Sequence, residues 1–284
     1  MPQSDPSCLV STDWLAKRLD APDVKVVDGS WHLPDAKRNP KSEYRGEHIP
    51  GAVFFDIDDI CDTKSPLPHM APSPEKFAAR VRKLGLGDGN RIVVYDTSGL
   101  FSAARVWWLF RLMGHEDVAV LDGGLPKWKS EGRALDDLPK APRERHFTPR
   151  RDTTVIRDVT EVARATKLGD EQIVDARNAA RFAGEAPEPR EGLRAGHIPG
   201  SKNVFYGDLL DDGVLKDPGV LRAVFEAGGV DWSKPVLTTC GSGVTAAILS
   251  LALHRSGHHA WSLYDGSWAE WGAFDELPIE TGPA

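Results

Sequence analysis

The chain repeats itself, and this constrains its fold more than any single motif does. GEHIPGA (Gly46 to Ala52) recurs as AGHIPGS (Ala195 to Ser201). Upstream, VKVVDGS (Val24 to Ser30) matches QIVDARN (Gln172 to Asn178). Downstream, RIVVYDTSG (Arg91 to Gly99) matches KPVLTTCGSG (Lys234 to Gly243), and LDGGLPKW (Leu121 to Trp128) matches YDGSWAEW (Tyr264 to Trp271). Four matches in the same order imply two copies of one fold. The 284 residues leave each copy long enough to bury its own core. The expected boundaries are a first domain over 1–138, a connector over 139–153 and a second domain over 154–284. The Pro- and Arg-rich connector (LPKAPRERHFTPRRDT, Leu138 to Thr153) lacks periodicity and reads as a solvated linker on the surface.

Within each copy, short β-branched runs alternate with helical patterns, as in SPEKFAARVRKLG before RIVVYD and SAARVWWLFRLMG before VAVLDGG. Strands separated by helices of this length form βαβ units. The expected class is therefore α/β, with two tandem domains, each a mostly parallel sheet carrying helices on both faces. Ligands on such sheets bind beyond the carboxyl ends of the strands.

Cys240 falls at such a place. CGSGVT (Cys240 to Thr245) lies between an apolar run and a helical run starting at Ala246, so the cysteine sits in a strand-to-helix turn. Two glycines let successive backbone N–H groups point inward, and the following helix adds the positive end of its dipole, which stabilises negative charge on sulfur. Alignment of the copies puts Asp96 opposite Cys240, so the first copy has no nucleophile there, and Asp96 reads as a structural cap. One catalytic site per chain, in the groove between the domains, is the expectation.

Other chemistries find little support. A net charge of −7 with dispersed Lys and Arg lacks a nucleic-acid footprint. No apolar run suits a membrane span, and the acidic N-terminal stretch is unlike a leader, so cytoplasm is expected. Cys8, Cys61 and Cys240 form no CxxC or pairing framework, and the nine histidines form no HExxH, so neither a metal nor another cofactor is expected. His258 and His259, after Gly257, read as a solvated helix end.

Together the HIPG turns, the LDGG and YDGSW turns, the cysteine-free first copy and the CGSGVT loop cover nearly the whole chain. They resemble the tandem-domain rhodanese-like sulfurtransferases, and among them the 3-mercaptopyruvate sulfurtransferases. Thiosulfate sulfurtransferases carry cations directly after the cysteine, whereas here Gly241, Ser242 and Gly243 are uncharged. The resemblance thus implies a keto acid donor anchored by its carboxylate. AARFAGEAPEPREGLRAGHIPG looks like the family's substrate-binding stretch and supplies Arg181 and Arg190, whose forked guanidinium groups suit coplanar carboxylate and carbonyl oxygens. Arg194 has no such counterpart. FFDIDDICDTKSPLPHM resembles the first domain's contribution to the cleft, with Asp58 and His69 at the matching positions and Asp56 and Asp59 as flanking decoys.

The resemblance implies that Cys240 takes sulfur from 3-mercaptopyruvate as a persulfide, releases pyruvate and passes the sulfur to thioredoxin, a low-molecular-weight thiol or cyanide. Ser242, His69 and Asp58 would serve proton movement. The turn Gly241, Ser242, Gly243, Val244 and Thr245 would hold the anionic sulfur through its backbone. The alternatives are thiosulfate:cyanide sulfur transfer and a non-catalytic binding module. A cysteine phosphatase needs an arginine after five intervening residues, where this chain has Ala246.

Overall fold

The computed structural model describes residues 8–139 and 141–284. Residues 1–7 and 140, which fall in the expected first domain and connector, lie outside them. The chain divides into two compact units: one comprises 1–63, 71–152 and 212–215, the other 64–70, 153–211 and 216–284.

The first unit is built on a five-stranded sheet in the order Leu9–Val10, Val118–Leu121, Arg91–Tyr95, Val24–Asp28, Val53–Phe54. Every pairing in it is parallel. The second unit repeats this order with Ile156–Arg157, Trp261–Tyr264, Val236–Thr239, Gln172–Asp175 and Lys202–Asn203, again all parallel. Parallel pairing requires crossovers, and these supply the helices that cover the sheets. The inner strands of the second unit, Gln172–Asp175, Val236–Thr239 and Trp261–Tyr264, are accordingly buried along their whole length. The helices that follow are apolar nearly all round: Ala103–Leu112 buries all its residues but Arg111, and Ala246–Arg255 buries all but its last two.

The repeated HIPG turn serves the fold. In the first unit His48 stacks on Tyr44 with ring centroids 4.4 Å apart, shares a hydrogen bond between its Nδ1 and the Tyr44 carbonyl (2.7 Å), and pairs antiparallel with Asp136. In the second, His197 stacks on Phe182 at 3.7 Å, with Nδ1 2.8 Å from the Phe182 carbonyl and a matching bridge to Glu280. Each histidine fastens the end of its unit to the turn that leads into an edge strand.

The connector runs along the surface, most of its described residues exposed, but it is tied down rather than loose. Arg150 and Asp152 donate backbone N–H groups to Met113 and Leu112, and Asp88 donates its own to His146, so the segment straps the first unit. Phe147 is 2% exposed and packs against Phe77, Phe110 and His115. Gly87 and Gly114 permit this, because a Cβ at either would collide with the strap backbone at His146 or Arg150. One aromatic residue in a polar run thus decides the path of the whole segment. His258 also differs from expectation: it is buried, edge-on to Trp232 at 5.2 Å, and burial pulls its imidazole below the usual range.

Candidate active site

In the second unit the strand Val236–Thr239 ends on Cys240, which is 2% exposed. Ser242, Gly243 and Val244 are buried beside it, Gly243 turning the chain at φ 77°, and Thr245 leads into the helix Ala246–Arg255. The turn is held from behind by the helix Ser267–Trp271, whose Trp268 and Ala269 donate N–H groups to the Cys240 and Gly241 carbonyls, both at 2.9 Å. Because the peptide unit is planar and trans, carbonyls fixed on that side turn the Gly241 and Ser242 N–H groups to the other, into the loop. The Cys240 N–H itself donates to Ser267 Oγ at 3.3 Å. Ser267 stands at φ 52°, a left-handed conformation of the turn that its counterpart Gly124 (φ 54°) takes without a Cβ.

The first unit has the same loop with a different occupant. The Asp96 carboxylate accepts N–H bonds from Ser98 (2.8 Å), Phe101 (2.7 Å) and Ala103 (2.9 Å), and Leu125 donates to the Asp96 carbonyl as Trp268 does to that of Cys240. Ser98 corresponds to Ser242 and Ala103, the first helical residue, to Ala246, the loop of the first unit being one residue longer. In the first unit the loop thus converges three amides on a negative group attached to its first residue.

Both candidate substrate arginines lie in the second unit. Arg181, on the short helix Ala179–Ala183, places Nη2 3.0 Å from where a Cβ would stand on Gly241, so its guanidinium lies against the loop. Burial pulls the Arg190 guanidinium below its ordinary range; the Cys240 sulfur acts to hold the charge on it, and Arg181 opposes it. Burial likewise pushes the Tyr206 phenol up, Arg181 opposing and Cys240 adding, which puts Tyr206 in the same field. Arg194 is a clamp for the fold, with its guanidinium on the carbonyls of Trp271, Gly272, Phe274 and Leu277.

His69 groups with the second unit, in the Lys64–Met70 segment. It is 8% exposed with φ 60°, a strained conformation for a non-glycine residue. Asp58 belongs to the first unit, on the helix Ile57–Ile60, where its Oδ2 accepts from Trp31 Nε1 at 3.2 Å. The structure also separates it from its neighbours. Asp56 is the N-cap, accepting from the Asp58 and Asp59 amides, and Asp59 pairs with Arg80 at the surface.

Sequence reasoning passed over Glu188 and Arg177. Arg177 is fully buried, bonded to both oxygens of Asp175 (2.7 Å from Nη2 to Oδ2) and, through Nη1, to Glu188 Oε1 at 2.7 Å. It also lies 4.5 Å over the Trp268 ring. Burial opposes its charge, but Asp175 and Glu188 outweigh burial and hold the guanidinium above its usual range. Glu188, its side chain 3% exposed, bonds Arg181 as well. An acidic residue between two arginines in RFAGEAPEPR (Arg181 to Arg190) was the available signal.

The Rhodanese-like domain model matches the chain twice, over residues 11–131 and 158–274. The chain belongs to the rhodanese-like family. Among its relatives, the 3-mercaptopyruvate sulfurtransferase of Escherichia coli K12 is 44% identical over 95% of this chain and 97% of its own length. The human 3-mercaptopyruvate sulfurtransferase is 42% identical over 93% and 91%. The crystal structure of the E. coli 3-mercaptopyruvate sulfotransferase SseA, with its rhodanese fold, matches at a TM-score of 0.86 and 42% identity, covering 93% of this chain and 100% of that one. No helix among the described residues of this rhodanese-like chain is long and apolar enough to cross a membrane.

Proposed function

We propose that this protein is a 3-mercaptopyruvate sulfurtransferase working through a Cys240 persulfide. The observation that carries the reading is the loop from Cys240 to Thr245, whose twin in the first unit already cradles a carboxylate with three amides. Support also comes from Arg181 against Gly241 and from the names of the relatives.

The Cys240 thiolate attacks the donor's sulfur, forming an S–S bond and breaking the bond between sulfur and C3. The electron pair leaves as the enolate of pyruvate. The proton from the donor thiol ends on C3, giving pyruvate and an anionic persulfide, and Ser242, His69 and Asp58 carry or orient that proton. The loop amides of Gly241, Ser242, Gly243, Val244 and Thr245 hold the terminal sulfur, as an oxyanion hole holds oxygen. Arg181 and Arg190 bind the carboxylate and keto oxygens. A thiolate acceptor, such as thioredoxin or a low-molecular-weight thiol, or else cyanide, then takes the outer sulfur and frees the Cys240 thiolate. A reducing, cytoplasmic setting keeps that thiolate available.

Intact mass after incubation with 3-mercaptopyruvate tests the reading. Addition of one sulfur atom to the wild type but not to Cys240→Ser is expected, and an unchanged wild-type mass overturns it. Thiosulfate as principal donor is the second reading, since an Arabidopsis thaliana relative, 42% identical over 96% of this chain and 78% of its own length, is named for both donors. The ratio of kcat/KM for the two donors decides between them.

A further inference from the structure

We infer that Glu188 is a specificity-determining residue, fixing which edge of the Arg181 guanidinium is open to the donor and neutralising its charge. The inference rests on the reading of Arg181 as a carboxylate anchor. An arginine can present two forks, one from Nε and Nη2 along its side and one from Nη1 and Nη2 at its end. Glu188 occupies the side fork, with Nε 3.3 Å from Oε1 and Nη2 2.5 Å from Oε2. The end fork remains, and its Nη2 corner lies against Gly241, next to Cys240.

Glu188 is itself immobile. Its side chain is 3% exposed, and Arg177 holds Oε1 at 2.7 Å while Asp175 grips Arg177 from the other side. Moving Glu188 would leave the Arg177 charge buried without half of its compensation. Arg181 is thereby locked in one orientation before any donor arrives, and binding need not order it.

The charges carry the second half of the inference. Arg177 and Arg181 against Asp175 and Glu188 sum to zero, so this quartet offers a donor a directional fork without net positive charge. A planar keto acid with one negative charge suits such a fork. A compact dianion such as thiosulfate gains little from it and meets the Glu188 charge. At separations of several ångströms in a partly solvated site, one unit charge is worth about tenfold in rate, or roughly 1.4 kcal/mol.

The test measures kcat/KM for 3-mercaptopyruvate and thiosulfate at one pH in the wild type, Glu188→Gln and Glu188→Asp, with thermal unfolding in parallel. Glu188→Gln should move the donor ratio at least about tenfold toward thiosulfate, with the loss for 3-mercaptopyruvate in KM rather than kcat. Glu188→Asp keeps the charge but shortens the reach. It should raise KM for 3-mercaptopyruvate while leaving thiosulfate as in the wild type. Equal changes for both donors, or a change confined to kcat, overturn the inference and leave the donor assignment standing. A wild type inactive with 3-mercaptopyruvate overturns both. If Glu188→Gln fails to fold, Glu188→Asp decides alone: a KM rise for 3-mercaptopyruvate only supports the inference, and none, or an equal rise for both donors, overturns it.

Discussion

The two units carry the same loop at the end of the same strand, and they differ in what the loop holds. In the first, Asp96 fills it with its own carboxylate and three amides are satisfied permanently. In the second, the shorter Cys240 side chain starts at the same point, and the loop is backed by Ser267 and the Trp268 and Ala269 amides. A further pair runs in parallel. Asp28 and Asp175 end equivalent strands, but only Asp175 has an arginine, since Arg177 is replaced by Ser30. The first unit thus satisfies its loop amides with its own carboxylate, and the second places a thiol at that position and an arginine on the neighbouring strand end.

Four substitutions probe this contrast. The largest effect is expected for Cys240→Ser, which should lower sulfur transfer by at least about 10³-fold with little change in thermal stability. Near-normal turnover would mean that the loop is not a persulfide cradle. Next, Asp96→Ala should cost about 3 kcal/mol of stability, because three amides, that of Ala103 buried, lose a charged acceptor. Chemical denaturation reads this, and specific activity per folded molecule should stay within about twofold on the view that Asp96 is purely structural. An unchanged denaturation midpoint would remove the cradle analogy.

Replacing Arg190 by Met should raise KM for 3-mercaptopyruvate by roughly tenfold more than KM for thiosulfate, about one charged hydrogen bond. Parallel changes for both donors would argue against carboxylate binding there. The smallest effect concerns pH. Burial pushes the Asp28 carboxyl up to about 6 in the folded protein. A carboxyl raised above its unfolded value of about 4 stabilises the fold below that value, and the benefit is lost as pH rises through the folded value. Stability should therefore fall by about 1–2 kcal/mol between pH 4 and 7 from this group, and Asp28→Asn should flatten that slope. Denaturation curves at several pH values check it, and an unaltered slope in Asp28→Asn would locate the pH dependence elsewhere.

Much of this was legible in the chain. The duplication, the parallel α/β sheets and Cys240 at a strand-to-helix turn all follow from local patterns, because strand period, glycine placement and helix polarity are properties of short segments. The roles of neighbouring acids were not legible. Asp56, Asp58 and Asp59 differ only in which way each carboxylate turns, and one caps a helix, one meets Trp31 and one meets Arg80. Nor was the anchoring of the surface connector legible, since Phe147 found its partners about forty to seventy positions earlier in the chain.

The sequence by itself determined that there are two copies of one fold, that only the second offers a thiol at the shared loop, and that two arginines precede it. Only the tertiary structure decided that the first loop closes three amides on Asp96, that Arg194 is a carbonyl clamp, and that Glu188 and Arg177 set the pose of Arg181. The physical reason is that charge and hydrogen-bond direction depend on three-dimensional neighbours. Guanidinium groups that look alike along the chain become carbonyl clamp or buried counter-ion according to which oxygens the fold brings to them.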